Sequence, residues 1–158
     1  MQKNDNLKIE EILEKSPTGI EGFDQITYGG LPKGRISLIV GGPGTGKTLF
    51  ATQFLINGIN KFNEPGVFVA FEETKRKLAQ NTASLGFKLN DLIEKKKLIV
   101  DYIYIERKEI EETGEYDLDG LFVRLGYAID SIGAKRIVLD TLEAISQAFP
   151  KNQFSEQN

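Results

Sequence analysis

Two rhythms of apolar residues alternate along most of this chain. Short runs of β-type residues predict four strands, at "RISLIV" (35–40), "VFVAFE" (67–72), "KLIVDYIYI" (97–105) and "KRIVLD" (135–140). Helical spacing fills the gaps between them. A helix starting near Lys47 puts Ala51, Leu55, Ile59 and Phe62 on one face, at i, i+4, i+8 and i+11, and the "EPG" that follows breaks it. Thr74 is placed to cap a second helix that Gly86 ends, and a short helix starts near Asn90. Asp117 is placed to cap a longer one whose core face carries Leu118, Leu121, Phe122, Leu125, Ile129 and Ile132 before Gly133 stops it.

The remaining stretches are less regular. Residues 1–16 form a charged N-terminal arm, 17–34 a glycine-rich lead-in, and 106–117 a polar surface loop or hairpin. After Asp140 an apolar stretch runs to Pro150, and 151–158 reads as a disordered tail. Apolar strands alternating with helices of 10–15 residues predict an α/β fold, a parallel sheet covered on both faces, over residues 17–150.

Length and composition narrow the chemistry. A chain of 158 residues is one domain by length, able to bury about 70% of its unfolded surface. The net charge of −3 comes from interspersed residues, and the local basic clusters, Lys75-Arg76-Lys77 and Lys95-Lys96-Lys97, fall in helices as solvated faces. A nucleic-acid partner needs a basic stripe that this sequence does not show. Cysteine and histidine are both absent, which excludes disulfides, a thiol nucleophile, a histidine base and a histidine–cysteine zinc site. The start has no signal-peptide core, and no apolar run reaches the ~18 residues that span a bilayer, so a cytoplasmic setting with no membrane role is expected.

The segment "GGPGTGKT" (41–48) fits G-x-x-x-x-G-K-[ST] and lies between a predicted strand and a predicted helix, the context that motif requires. Glycines let successive backbone N–H groups face an anion, and the helix start adds partial positive charge. Lys47 supplies a full charge to the β- and γ-phosphates, and Thr48 offers a hydroxyl to Mg²⁺. Gly44, Thr45, Gly46, Lys47, Thr48 and Leu49 are therefore expected around the phosphates of ATP. Asp140, ending the apolar run "RIVLD", is the candidate second metal-site residue, with capping of the next helix as its competing role. Glu72 and Glu73 leave the end of the second strand at the same rim. Strand geometry turns only one of them toward the γ-phosphate; Glu72 is favoured as the base that polarises water, with Glu73 as its partner. Two glutamates merely opening a helix are the alternative.

Together these residues resemble the RecA-like ATPases, and most closely the first ATPase domain of the KaiC family of circadian-clock proteins. "TGIEGFDQITYGGLPKGR", "GPGTGKTLFATQFLINGI", "EPGVFVAFEET" and "RIVLD" follow one another in that family's order and spacing, over residues ~17–145. The resemblance implies ATP-binding hexamers that hydrolyse ATP slowly at sites shared between subunits. It implies catalytic roles for Glu72 and Glu73, Mg²⁺ binding by Thr48, a place near the nucleotide for Ser84, and possible regulatory protein partners.

Two departures temper those implications. The chain ends soon after the Asp140 strand, where family members continue with further strands, the basic residues that reach a neighbour's site, and usually a second domain that autophosphorylates. Open edges beside the 35–40 strand and impaired hydrolysis are therefore expected of this chain. The loop "ERKEIEETGEYDLDG" is charged in its own way, which argues against a clock setting and leaves signalling or stress responses as the other expectation. The expected function is a Mg²⁺-dependent, slow ATPase domain. A nucleotide-regulated assembly scaffold with little turnover, or a DNA-binding recombinase module, are the alternatives.

Overall fold

The computed structural model describes residues 13–71, 73–104 and 118–141. The lead-in comes first. β1 (Lys15–Ser16) pairs antiparallel with β2 (Leu31–Pro32), and the short helix α1 (Phe23–Ile26) lies between them. The main body then follows in the order α2 (Lys47–Phe62), β3 (Gly66–Ala70), α3 (Lys75–Ala83), α4 (Leu89–Glu94), β4 (Leu98–Tyr102), α5 (Leu118–Ile132) and β5 (Arg136–Asp140).

β3 is the middle of a three-stranded parallel sheet of order β4-β3-β5. Its residues Gly66–Ala70 are all buried, as a parallel strand covered on both faces requires. Alternation along β3 divides the core. Phe68 and Ala70 pack with Leu55, Ile56 and Ile59 of α2, Leu78 of α3, and Leu89 and Leu92 of α4. Val67, Val69 and Phe71 pack with Leu121 and Ala128 of α5. Burying a side chain such as Phe68, only 2% exposed, contributes about 1.5–3 kcal/mol.

The helices begin and end where local chemistry expects. Thr74 Oγ1 accepts the Lys77 N–H at 3.4 Å to cap α3, and Gly86, at φ +84°, turns the chain after it. α2 ends with Asn63 in the left-handed region, and the Glu64 N–H donates to the Gly58 carbonyl at 3.0 Å. Leu121, Leu125, Ile129 and Ile132 of α5 face the core as expected.

Several expectations are corrected, among them the helical placement of Lys95-Lys96-Lys97, since α4 ends at Glu94 and Lys96 has φ +54°. Residues 35–40 join no ladder among the described residues. Ile36 is 97% and Val40 83% exposed, because no described strand lies beside this segment to pair with it or cover it. Phe122, expected on the core face of α5, is 62% exposed. The buried stripe turns instead through Ala128, and Phe122 lies about 100° around the helix from Leu121. The third strand ends at Tyr102, short of residue 105. The expected arm to residue 12, the Asp117 cap, the 106–117 loop, the stretch after Thr141 and the tail lie outside the described residues.

Candidate functional site at the carboxyl edge of the sheet

Ala70 of β3 pairs in register with Asp140 of β5, so both strands deliver their carboxyl ends to one edge. Phe71 continues the ladder, its N–H donating to the Asp140 carbonyl at 2.9 Å. α2 begins at this same edge, the position where open α/β sheets place ligands. One bond fixes the arrangement: Thr48 Oγ1 donates to Asp140 Oδ2 at 2.7 Å. The expected metal-site pair is thus brought together.

The turn before α2 is held by its own polar groups. Gly44 and Gly46 have φ of +76° and +91°, a backbone region that side chains disfavour, which explains glycine at both positions. Thr45 Oγ1 donates to the Gly42 carbonyl at 2.9 Å. Lys47 Nζ donates to the carbonyls of Gly41 at 2.6 Å and Gly42 at 3.1 Å, so the ammonium curls back over the loop. Gly46 occupies the N-cap of α2, where no side chain caps the helix and no acidic residue stands in the first turn. The amides of Lys47, Thr48 and Leu49 open the helix there, with the dipole's positive end toward an anion.

Two hard oxygen ligands, a hydroxyl and a carboxylate, meet beside this helix start. Mg²⁺ favours such a set, because it takes one or two protein oxygens and keeps waters and phosphate oxygens on its other positions. Thr48 and Asp140 therefore fit the ion.

The other expected site residues are placed differently. Glu73 follows β3 at the same edge, half-buried, and both its carboxylate oxygens accept from Asn81 Nδ2, at 3.3 and 3.2 Å. That contact anchors Glu73 to α3. Glu72 lies outside the described residues. Ser84 is exposed at the C-cap of α3, and its hydroxyl donates to the Asn81 carbonyl at 2.8 Å. Nothing described joins it to the loop at 41–48.

Sequence reasoning missed what the lead-in does. The Asp24 carboxylate accepts from the Thr18 hydroxyl at 2.6 Å and from the N–H groups of Thr18 and Gly19, both at 2.8 Å. Burial pushes its pKa up, but these donors, with the Arg136 charge, outweigh burial and bring it below the usual carboxylate value. The turn so closed docks on α2. Asn57 Nδ2 donates to the Thr18 carbonyl at 3.1 Å, Lys61 Nζ donates to that of Gly19 at 2.7 Å, and Phe23 meets Phe50 edge-on at 5.0 Å. The signal was present in "TGIEGFD", an Asp five or six residues after a Thr-Gly pair, but it has no helical or strand period to make it visible.

The family model described as "ATPase: KaiC" matches residues 16–157. The chain belongs to the KaiC ATPase family. Its α/β sheet is the RecA-like core that this KaiC family shares. A Synechocystis relative named circadian clock protein KaiC2 is 59% identical over 133 residues, covering 84% of this chain and 23% of its own length. Relatives named circadian clock oscillator protein KaiC are 45% identical in Prochlorococcus marinus and 46% in Thermostichus vulcanus. Each alignment covers 87% of this chain, and 28% and 26% of the respective relative. The chain therefore spans about a quarter of the length of the curated relatives it matches.

Proposed function

We propose that this domain binds MgATP at the start of α2 and hydrolyses it slowly. The contact between Thr48 and Asp140 carries the reading, because a hydroxyl and a carboxylate from residues 92 positions apart converge beside an uncapped helix start. Amides of Gly44, Thr45, Gly46, Lys47, Thr48 and Leu49 would hold the phosphates. Lys47 would leave the Gly41 and Gly42 carbonyls to reach the β- and γ-oxygens. Bound Mg²⁺ supplies electrostatic stabilisation of the charge that develops on the phosphates.

Water attack would need a base at this edge. Glu72 is assigned that role from the sequence, with Glu73, held by Asn81, as its neighbour. Ser84 is assigned a place near the nucleotide on the family resemblance alone. The parent protein would act in the cytoplasm as a homo-oligomer, a hexameric ring in the family's pattern, under regulatory protein partners and in a signalling or clock setting. The relatives' printed names support that clock setting.

The deciding experiment titrates the chain with a fluorescent ATP analogue, with and without Mg²⁺, beside Lys47→Ala. Saturable binding that Lys47→Ala weakens at least about tenfold is expected, since that substitution removes a full positive charge from the proposed phosphate site. Equal binding by both proteins sinks the reading.

A further inference from the structure

Arg136 opens β5 at the end opposite Asp140, and it is the one charged residue among the described residues that is fully buried, at 3% exposure. Its guanidinium is engaged almost wholly with α2 and the turn after it. Nε donates to Glu64 Oε2 at 2.6 Å, and Nη1 donates to the Phe54 carbonyl at 3.0 Å. The guanidinium carbon lies 4.5 Å from the Phe54 ring centre and 5.1 Å from that of Phe62. Nη2 is buried with no hydrogen-bond partner among the described residues. An apolar residue would fill this space without desolvating a charge, so stability alone is a weak account of an arginine here.

The helix is shaped to admit it. A Cβ on Gly58 would stand 2.4 Å from Arg136 Cδ and 2.5 Å from Nε, so the arginine side chain lies across α2 in this position only because residue 58 has no side chain. β5 is consequently fastened to α2 at both ends. Arg136 grips the helix through Phe54 and the turn through Glu64, while Asp140 receives the Thr48 hydroxyl. Four steps of strand separate the two strand anchors, about 13 Å, and six residues of helix separate Thr48 from Phe54, about 9 Å. Held at two such points, and with Leu55, Ile56 and Ile59 packed in the core, the helix cannot slide or swing along the strand, and the far fastening fixes its angle at the near one.

We infer that Arg136 is a positioning residue for the metal site: by locking α2 against β5 at the far end of the strand, it sets the separation of Thr48 Oγ1 and Asp140 Oδ2. This rests on the MgATP reading given above. Arg136 touches neither nucleotide nor metal and acts through the helix.

The test uses the full chain and mant-ADP as probe, measuring affinity in EDTA and across a Mg²⁺ titration. The gain in affinity that Mg²⁺ confers reads the Thr48–Asp140 pair separately from the amides and Lys47. Arg136→Met and Gly58→Ala should each lower the apparent Mg²⁺ affinity by about tenfold, the usual scale for disturbing what orients a metal ligand. Affinity in EDTA should stay within twofold. Arg136→Lys, which can pair with Glu64 but lacks the fork that also reaches Phe54, should fall between. If Arg136→Met fails to fold, Gly58→Ala carries the test, since it keeps the arginine in the chain and only displaces its side chain. Variants that lose stability while keeping the full Mg²⁺ gain would reduce Arg136 to a structural residue and overturn the inference. An unsubstituted protein that gains nothing from Mg²⁺ would instead remove the MgATP reading, and this inference with it.

Discussion

The Thr48 hydroxyl and the Asp140 carboxylate stand 92 residues apart in the chain and 2.7 Å apart in space. Each is the terminal residue of an apolar or glycine-rich motif, and each belongs to a different element, so only the folded sheet edge brings them together. Thr48→Val keeps the shape of the side chain and removes the donor. It should leave Mg²⁺-free nucleotide affinity within about twofold and weaken the Mg²⁺-dependent part at least about tenfold. Asp140→Asn should do the same. Isothermal titration with and without EDTA separates the two terms, and equal losses in both conditions would show that the pair serves the nucleotide without serving the metal.

Asp24 gives a pH dependence with a definite sign. Its folded pKa lies below the unfolded value of about 3.9, so its contribution is present above that value and lost as pH falls through the folded pKa. Asp24→Asn keeps the size but replaces a charged acceptor, and should lower stability by about 1.5–3 kcal/mol at pH 7, the range for hydrogen bonds to charged groups. Urea midpoints measured from pH 6 down to pH 2 should converge for the two proteins in the acid limb. Parallel curves would mean that the Thr18–Asp24 turn contributes nothing to the pH dependence.

Phe68 sits at the centre of the middle strand with both neighbours paired. Phe68→Ala should remove about 3–5 kcal/mol, as for other buried aromatic truncations. The loss should appear as a lower urea midpoint at constant slope. A loss under 1 kcal/mol would place the strand at the surface.

The exposed segment 36–40 makes an opposite prediction. Ile36→Lys and Val40→Lys should leave the unfolding midpoint within about 0.5 kcal/mol, because neither side chain is packed. They should also raise the concentration at which light scattering first reports association, since charge on an unpaired apolar segment opposes edge-to-edge pairing. A large drop in stability would show that the segment is covered in solution.

Much of this was legible beforehand, for reasons that differ by element. The run Gly66–Ala70 declares itself because a strand buried on both faces needs no polar alternation. α2 declares itself through Leu55 and Ile59, which recur at the helical period. The turn at 41–48 was readable because glycine stands at Gly44 and Gly46, where the backbone takes a positive φ that other residues disfavour. Segment 35–40 was not, because β-type residues make a ladder only where a partner strand lies alongside, and composition carries no information about that partner. Phe122 was misplaced because adjacent Leu121 and Phe122 both suit a core, and only packing against β3 selects between them. Arg136 and Asp24 were overlooked because their partners are single atoms at long range, which no periodicity reports.

The resting posture of Lys47 has an outcome for selectivity. Its ammonium already holds two carbonyl oxygens, so an arriving anion must outcompete them before it gains the lysine. On the MgATP reading proposed above, a lone chloride or inorganic phosphate would offer too little in exchange, while a triphosphate, meeting the amides and the ammonium together, would offer enough. The loop would then discriminate by the number of charges a guest presents at once, and a small competitor would have to arrive in great excess to be noticed.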